Sequence, residues 1–245
     1  MKRACHRVAL ALVLTLGSAA GARAAGDPVR LRASPPLAHG QAALPRIAAP
    51  ADDAAAARIN RALATSDKRF KAAAAACGNG DAERTVTASL AGARFLGLVT
   101  QDSWFCGAYP DTGTLALVYD LTSGRPVNWA ALLPSGLAIQ GSIDSHFDGT
   151  PIGMMRSKAL TTLYWDTIKA DPDAKDCEAI VTADDVAFQA WPDAKADAVA
   201  LEPASLPHAE KACAITALVP TAALRRLGAN AALLDDIDAA HARAK

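Results

Sequence analysis

The chain has 245 residues, 51 % of them hydrophobic, with 25 basic and 25 acidic side chains and a formal net charge of zero. This length is enough for one large domain or two small ones with a substantial core. The modest negative charge that remains once the first 24 residues are removed argues against nucleic-acid binding, which requires clustered lysine and arginine. After the first 24 residues, no stretch is apolar and long enough to span a bilayer, so we expect a soluble mature protein.

The N-terminus has the three parts of a secretory signal. A basic head is followed by a short apolar run over residues 8–16 and by the small-residue site Ala22-Arg23-Ala24. This pattern predicts a signal peptide over residues 1–24 and a mature protein in the periplasm or outside the cell. An uncleaved membrane anchor is the alternative. Without the signal's four basic residues, 21 remain against 25 acidic, a formal charge of −4.

Residues 25–50 form a Pro/Ala-rich lead segment ahead of a single domain over residues 51–245. Its prolines exclude a long helix and predict an extended chain, with one short strand near residues 29–32. Asp52 or Asp53 can then cap a helix that runs to about residue 64, and a second helix is predicted over residues 68–76.

The remaining elements follow from hydrophobic periodicity and turn residues. Strands are predicted over residues 84–90, 94–100, 115–120, 186–191, 198–201 and 212–219. Helices are predicted over residues 129–133, 153–169, 221–227 and 229–242. Residues 141–149 are predicted to be a loop or short strand. The order of these elements predicts an α+β fold, with a mostly antiparallel sheet and helices packed on one face.

Four cysteines follow the signal, and an even number in an exported chain predicts two disulfides. Three pairings are open, and we favour Cys77–Cys106 and Cys177–Cys213 because each pair lies within one half of the chain. The alternatives are a metal site or a catalytic thiol, but the spacing contains no C-x-x-C.

The stretch Ser103-Trp104-Phe105-Cys106-Gly107-Ala108-Tyr109-Pro110, with Asp120-Leu121-Thr122-Ser123-Gly124 after it, resembles a known family. It is similar to the RsiV-like extracytoplasmic domain of unknown function, found in lysozyme-sensing anti-sigma factors and beside peptidoglycan deacetylases. The resemblance covers about residues 50–228. It implies an α+β cell-envelope domain that binds another protein, and it supplies no catalytic residues. Tyr109 stands where the family often has histidine.

One polar cluster is a candidate for chemistry. In a strand, Asp144, His146 and Asp148 would project from one face and could ligate a divalent metal. A solvated loop explains the same residues, so we assign no metal site and no cofactor. The chain has no G-x-S-x-G, H-E-x-x-H, Walker or Rossmann motif, and we assign no catalytic residue.

Aromatic residues surround Cys106 and suggest a binding surface. If exposed, Trp104 and Tyr109 could stack on sugar rings or anchor a partner protein. Strand alternation puts Trp104 and Phe105 on opposite faces, so one of these two side chains is expected in the core. We assign Trp104 and Tyr109 as candidate ligand-binding residues.

Together these observations predict a soluble periplasmic binding module of the cell envelope without enzymatic activity. The expected partner is a cell-wall glycan or an envelope protein such as a lysozyme-like enzyme. Two alternatives remain: a metal-dependent envelope hydrolase using Asp144, His146 and Asp148, and a structural secreted protein without a ligand.

Overall fold

The structure is a computed structural model that describes residues 26–50, 52–78, 81–107, 110–144, 149–183 and 185–245. Of residues 140, 142–144 and 152 it describes the backbone only. The predicted signal peptide lies outside these ranges. In the described residues, no helix combines the length and the apolar character needed to cross a membrane.

The secondary structure mixes helices and strands, which confirms the α+β class. The helices are α1 (Ala54–Ala76), α2 (Trp129–Leu132), α3 (Lys158–Ile168), α4 (Glu178–Val181), α5 (Thr221–Arg226) and α6 (Ala231–Arg243), with 3-10 turns at Pro172–Ala174 and His208–Cys213. The strands are β1 (Leu31–Arg32), β2 (Arg46–Ile47), β3 (Ala82–Ala91), β4 (Phe95–Trp104), β5 (Asp111–Asp120), β6 (Arg125–Pro126), β7 (Ile139–Asp144), β8 (Pro151–Arg156), β9 (Phe188–Asp193), β10 (Ala198–Pro203) and β11 (Ala217–Pro220).

The strands are antiparallel, as predicted, but they form two large sheets and the small two-stranded sheet β1-β2 instead of one sheet. A four-stranded sheet has the order β3-β4-β5-β6, and a five-stranded sheet has the order β11-β10-β9-β8-β7. Helix α1 packs on one face of the four-stranded sheet, where Ile59 and Leu63 meet Leu96, Leu98 and other buried residues. The five-stranded sheet covers part of the other face.

Strand β9 crosses three strands of the four-stranded sheet. Gln189 lies against the outer edge of β5, Pro192 lies next to Gly97 of β4, and Ala194 donates its N–H to Ser89 of β3. A Cβ on Gly97 would lie 3.1 Å from the Pro192 ring, so glycine allows this close crossing. Beyond this crossing lie the N-terminal ends of β3 and β5 and the C-terminal end of β4.

Helix α1 is continuous, and the predicted break near residues 65–67 is wrong. Asp53 caps its N-terminus by accepting the N–H of Ala56. Ser66 and Asp67 are weak helix formers, but both are buried. Asp67 accepts the N–H of Leu44 and forms an ion pair with Arg46 at 2.6 Å. These partners lie in the lead segment, so tertiary contacts outweigh the local propensity.

The lead segment follows the prediction of an extended chain, with two-residue strands at β1 and β2. It also protects the edge of β3. Arg84 donates its N–H to Gly40 and accepts the N–H of Ala42, as it would from a neighbouring strand. An edge strand covered in this way is closed to pairing with other chains at that point.

The predicted helix over residues 153–169 is divided between two elements. Residues up to Arg156 belong to β8 and pair with β7. Ser157 then caps α3, because its hydroxyl accepts the N–H of Leu160 at 2.9 Å. The apolar spacing that predicted one helix therefore mixes strand residues with the helix face of Leu160 and Tyr164.

The strand predicted over residues 212–219 is also shorter than expected. Cys213 ends a 3-10 turn, and the strand begins only at Ala217. Two disulfides are present, Cys77–Cys106 and Cys177–Cys213, with the pairing that the sequence favoured.

Candidate functional site: an open polar face

A set of polar side chains lies on one side of the sheet, where the N-terminal ends of β3 and β5 flank the C-terminal end of β4. The strand register places Thr85 beside Gln101 and Gln101 beside Thr114. The next row, two residues along, is formed by Glu83, Ser103 and Thr112. Because side chains alternate across a strand, these six residues share one face, opposite to α1. We call them the polar face.

The polar face is accessible and already ordered. Glu83, Thr85, Gln101 and Thr112 are exposed, while Ser103 and Thr114 are half-buried. The side-chain amide of Gln101 donates to the Thr114 hydroxyl at 3.0 Å. Hydroxyl and amide groups both donate and accept hydrogen bonds, so the surface suits a ligand that is itself rich in hydroxyls.

Phe105 is the exposed aromatic residue beside this face. It follows the last residue of β4, and 48 % of its surface is accessible. Alternation places it on the side of Gln101 and Ser103. Its N–H donates to the carbonyl of Asp81 at 2.8 Å, and the next residue, Cys106, is joined to Cys77. The ring is therefore held at the end of the polar face.

Trp104 lies on the opposite side, and its assignment as a ligand-binding residue needs correction. Only 5 % of its surface is accessible, and its ring centroid lies 5.0 Å from that of Phe70 on α1. Arg84 stacks on the other ring of this pair, 3.7 Å from the Phe70 centroid, and forms a buried ion pair with Asp102. Trp104 thus belongs to the core below the sheet. Tyr109 lies outside the described residues.

The outer edge of β5 is closed by side chains rather than by a strand. Gln189 accepts the N–H of Ala116 at 3.1 Å and donates to the carbonyl of Thr114 at 3.0 Å. Lys211 donates to the carbonyl of Thr112. These contacts occupy the carbonyls of Thr112 and Thr114 and the N–H of Ala116, which hinders the pairing of another strand along this part of the edge.

A charged group borders the polar face at the start of β5. Asp111 accepts from Lys211 at 2.5 Å and lies 3.3 Å from His208. Burial alone would raise the pKa of Asp111, but the hydrogen bonds from Lys211 and His208 outweigh it and lower that pKa. The carboxylate is therefore ionised and held between two basic side chains.

Glu202 lies below the same edge, between the two sheets, with 6 % of its surface accessible. Thr216 donates to it at 2.8 Å, and Gln189 contacts it at 3.4 Å. Burial raises its pKa, although hydrogen bonds from Thr114, Thr216 and Gln189 act in the opposite direction. Glu202 is a polar connection between the sheets and is too deeply buried to contact a large ligand directly.

The polar cluster that was considered as an alternative metal site lies almost entirely outside the described residues. Asp144 ends β7 and is described by its backbone only, while His146 and Asp148 lie outside the described residues. Within the described part of the chain, no three histidine, cysteine or acidic side chains gather to hold a metal ion.

Sequence analysis missed the polar face because its residues are common and scattered over three strands. Alternation within the strand predicted over residues 84–90 is the signal that the sequence offers, because it places Thr85 and Thr87 on the opposite side of the strand from Val86. Which aromatic residue is exposed depends on Phe70 and Arg84, which are distant in sequence from Trp104.

No protein-family model matches the chain, and no curated protein matches it. The solved structures that are similar to it include two DUF3298 family proteins. One is a member of the DUF3298 family from Bacteroides fragilis NCTC 9343, with 13 % identity, a TM-score of 0.44, and coverage of 73 % of this chain and 68 % of that one. The other is a DUF3298 family protein from Pseudomonas aeruginosa PAO1, with 17 % identity, a TM-score of 0.39, and coverage of 70 % and 71 %. The resemblance to the RsiV-like domain stays a prediction.

Proposed function

We propose that the protein is an exported binding module of the cell envelope that holds a cell-wall glycan on its polar face and has no enzymatic activity. The observation that carries this proposal is the combination of six polar side chains on one open sheet face with the half-exposed ring of Phe105 at its end.

The chemistry of this surface matches a sugar chain. Sugar hydroxyls can exchange hydrogen bonds with Thr85, Gln101 and Thr114 in both directions. The C–H face of a sugar ring can pack on the Phe105 ring, which supplies apolar contact beside the polar groups. An open sheet face suits a linear chain that makes several such contacts in succession.

The charge of the face favours a glycan over a lysozyme-like protein. Glu83 is the one ionisable side chain among its six residues. The charge of the nearby Asp111 is compensated by its ion pair with Lys211. A basic protein partner is usually met by complementary acidic groups, and this face offers a single one.

The absence of catalysis is part of the proposal. Glu83 is the one accessible carboxyl group at the face, because Asp111 is held by basic side chains and Glu202 is buried. A single accessible carboxyl group does not supply the pair of carboxyl groups that glycoside hydrolysis requires. The predicted signal peptide and the two disulfides support an oxidising compartment outside the cytoplasm.

The test is co-sedimentation of the full chain with purified peptidoglycan, alongside titration with soluble glycan strands released from it. Phe105→Ala should weaken binding at least tenfold without lowering the unfolding temperature, because the ring is exposed and contributes little to the core. The matched control is Leu218→Ala, which removes another exposed apolar side chain, 43 % accessible, on β11.

Equal glycan binding by Phe105→Ala and the unmodified chain would contradict the proposed face. Binding to lysozyme but not to glycan would replace the glycan with a protein partner. Release of reducing sugar ends during the titration would contradict the absence of enzymatic activity.

A further inference from the structure

A shallow cavity of about 390 Å³ lies at the opposite end of β10 from Glu202. It is lined by Asp197, Thr221, Ala222, Arg225, Arg226 and Asp238. Asp197 and Glu202 are five residues apart along an extended strand, which corresponds to about 16 Å. The cavity is therefore separate from the polar face, and its charged lining differs from that face.

Asp197 is fixed in an uncommon backbone conformation. Its φ angle of 53° lies in the left-handed region, which aspartate tolerates better than most residues. Thr221 holds it twice, donating its N–H to the Asp197 carbonyl and its hydroxyl to Oδ1, each at 3.0 Å. The other carboxylate oxygen, Oδ2, makes no hydrogen bond to the described residues and is left for a donor from outside.

The two arginines of α5 differ in their surroundings. Arg225 donates to Asp235 at 2.9 Å and to Asp238 at 2.7 Å, so its charge is compensated within the protein. Arg226 is exposed, and it forms no ion pair with the described residues. The cavity thus offers one oriented carboxylate and one available guanidinium on neighbouring walls.

We propose that this cavity binds a small zwitterion, an α-amino acid or a short free peptide. Its ammonium group donates to Asp197 Oδ2, and its carboxylate accepts the forked N–H groups of Arg226. A ligand with both charges compensates both protein groups, whereas a purely cationic or anionic ligand leaves one of them without a partner. The site does not depend on glycan binding at the polar face.

The test is a titration of the isotope-labelled full chain, followed by amide chemical shifts, with glycine, glycylglycine and triglycine. We expect at least one of the three to give saturable shifts in α5 and at Asp197, with a dissociation constant at or below about 1 mM. The same ligand with its amine acetylated or its carboxyl amidated should bind at least tenfold more weakly.

Two variants test the proposed contacts of the ligand with Asp197 and Arg226. Asp197→Asn keeps the left-handed turn and an acceptor for Thr221 but removes the charge, and Arg226→Gln removes the guanidinium. Each should weaken binding at least tenfold, while Arg125→Gln, at an exposed arginine on β6, should leave it unchanged. Absence of saturable shifts with all three ligands, or shifts that persist after both ends are blocked, would overturn the proposal. Loss of glycan binding alone would leave it intact.

Discussion

Asp236 and Gly92 meet so closely that a Cβ on Gly92 would lie within 2.6 Å of both carboxylate oxygens. The carboxylate of Asp236, on α6, accepts the N–H groups of Ala93, Arg94 and Phe95 at 2.7–3.0 Å. The C-terminal helix is thereby attached to the β3–β4 turn, more than 140 residues earlier in the chain.

Gly92→Ala should therefore destabilise the protein by about 2–4 kcal/mol, because the methyl group displaces the carboxylate and three backbone donors lose their acceptor. Urea unfolding measures the change. The control is Gly107→Ala, since a Cβ there has no neighbour within 4 Å. Equal urea midpoints for Gly92→Ala and Gly107→Ala would contradict a stabilising contact between Asp236 and the β3–β4 turn.

Gln189 acts as a substitute for a strand at the edge of β5, and its side chain is almost fully buried. Gln189→Met keeps the size of the side chain but leaves the N–H of Ala116 and the carbonyl of Thr114 without their partner. We expect a loss of about 2–4 kcal/mol in the free energy of unfolding. Gln101→Met, at an exposed glutamine of the polar face, should change it by less than about 0.5 kcal/mol.

Glu202 should make stability depend on pH. Burial raises its pKa above the ordinary 4.5, so the folded protein binds a proton there that the unfolded chain releases. The free energy of unfolding should then fall as the pH rises from about 4.5 through the folded-state pKa, and level off above it. In Glu202→Gln this decline should disappear.

Thermal unfolding between pH 4.5 and pH 8 measures this dependence, with Glu83→Gln, at an exposed glutamate, as control. An unchanged pH profile in Glu202→Gln would show that another group causes the decline.

The two disulfides should differ in their response to reductant. Cys106 is exposed, whereas 4 % of Cys177 and 6 % of Cys213 are accessible. Mild reduction should open Cys77–Cys106 first and weaken glycan binding, because Phe105 is adjacent to Cys106. The chain-entropy model gives about 3.5 kcal/mol for the loss of this crosslink.

Mass mapping of alkylated cysteines, combined with glycan co-sedimentation, follows both changes. If a chain in which only Cys77–Cys106 is reduced binds glycan as well as the oxidised chain does, glycan binding through Phe105 does not depend on this disulfide.

Features set by nearby residues could be predicted from the sequence. The strand around Thr85 was predicted from alternation, the strands around Leu98 and Leu117 from their apolar residues and the neighbouring turns, and the α+β class from the element order. The division at Ser157 was missed because Met155, Ala159 and Leu163 have helical spacing, although Met155 pairs with Gln140 in a sheet.

The candidate site was harder to predict. Trp104 and Phe105 have nearly the same local sequence environment, and the choice between them is made by Phe70 and Arg84 across the sheet. Likewise, Gln189 is an ordinary polar residue in the sequence. Its role exists only because β9 crosses the edge of β5.

For a chain exported as proposed above, the local pairing of the cysteines would affect how it oxidises while it crosses the membrane. Cys77 and Cys106 would both be available before residue 107 left the translocation channel, so the first bond could close while the second pair was still inside. Cys177 and Cys213 would meet later, when the thiols of the first pair are already bonded. A chain exported in this way would form these two bonds in sequence order, with little need of disulfide isomerisation.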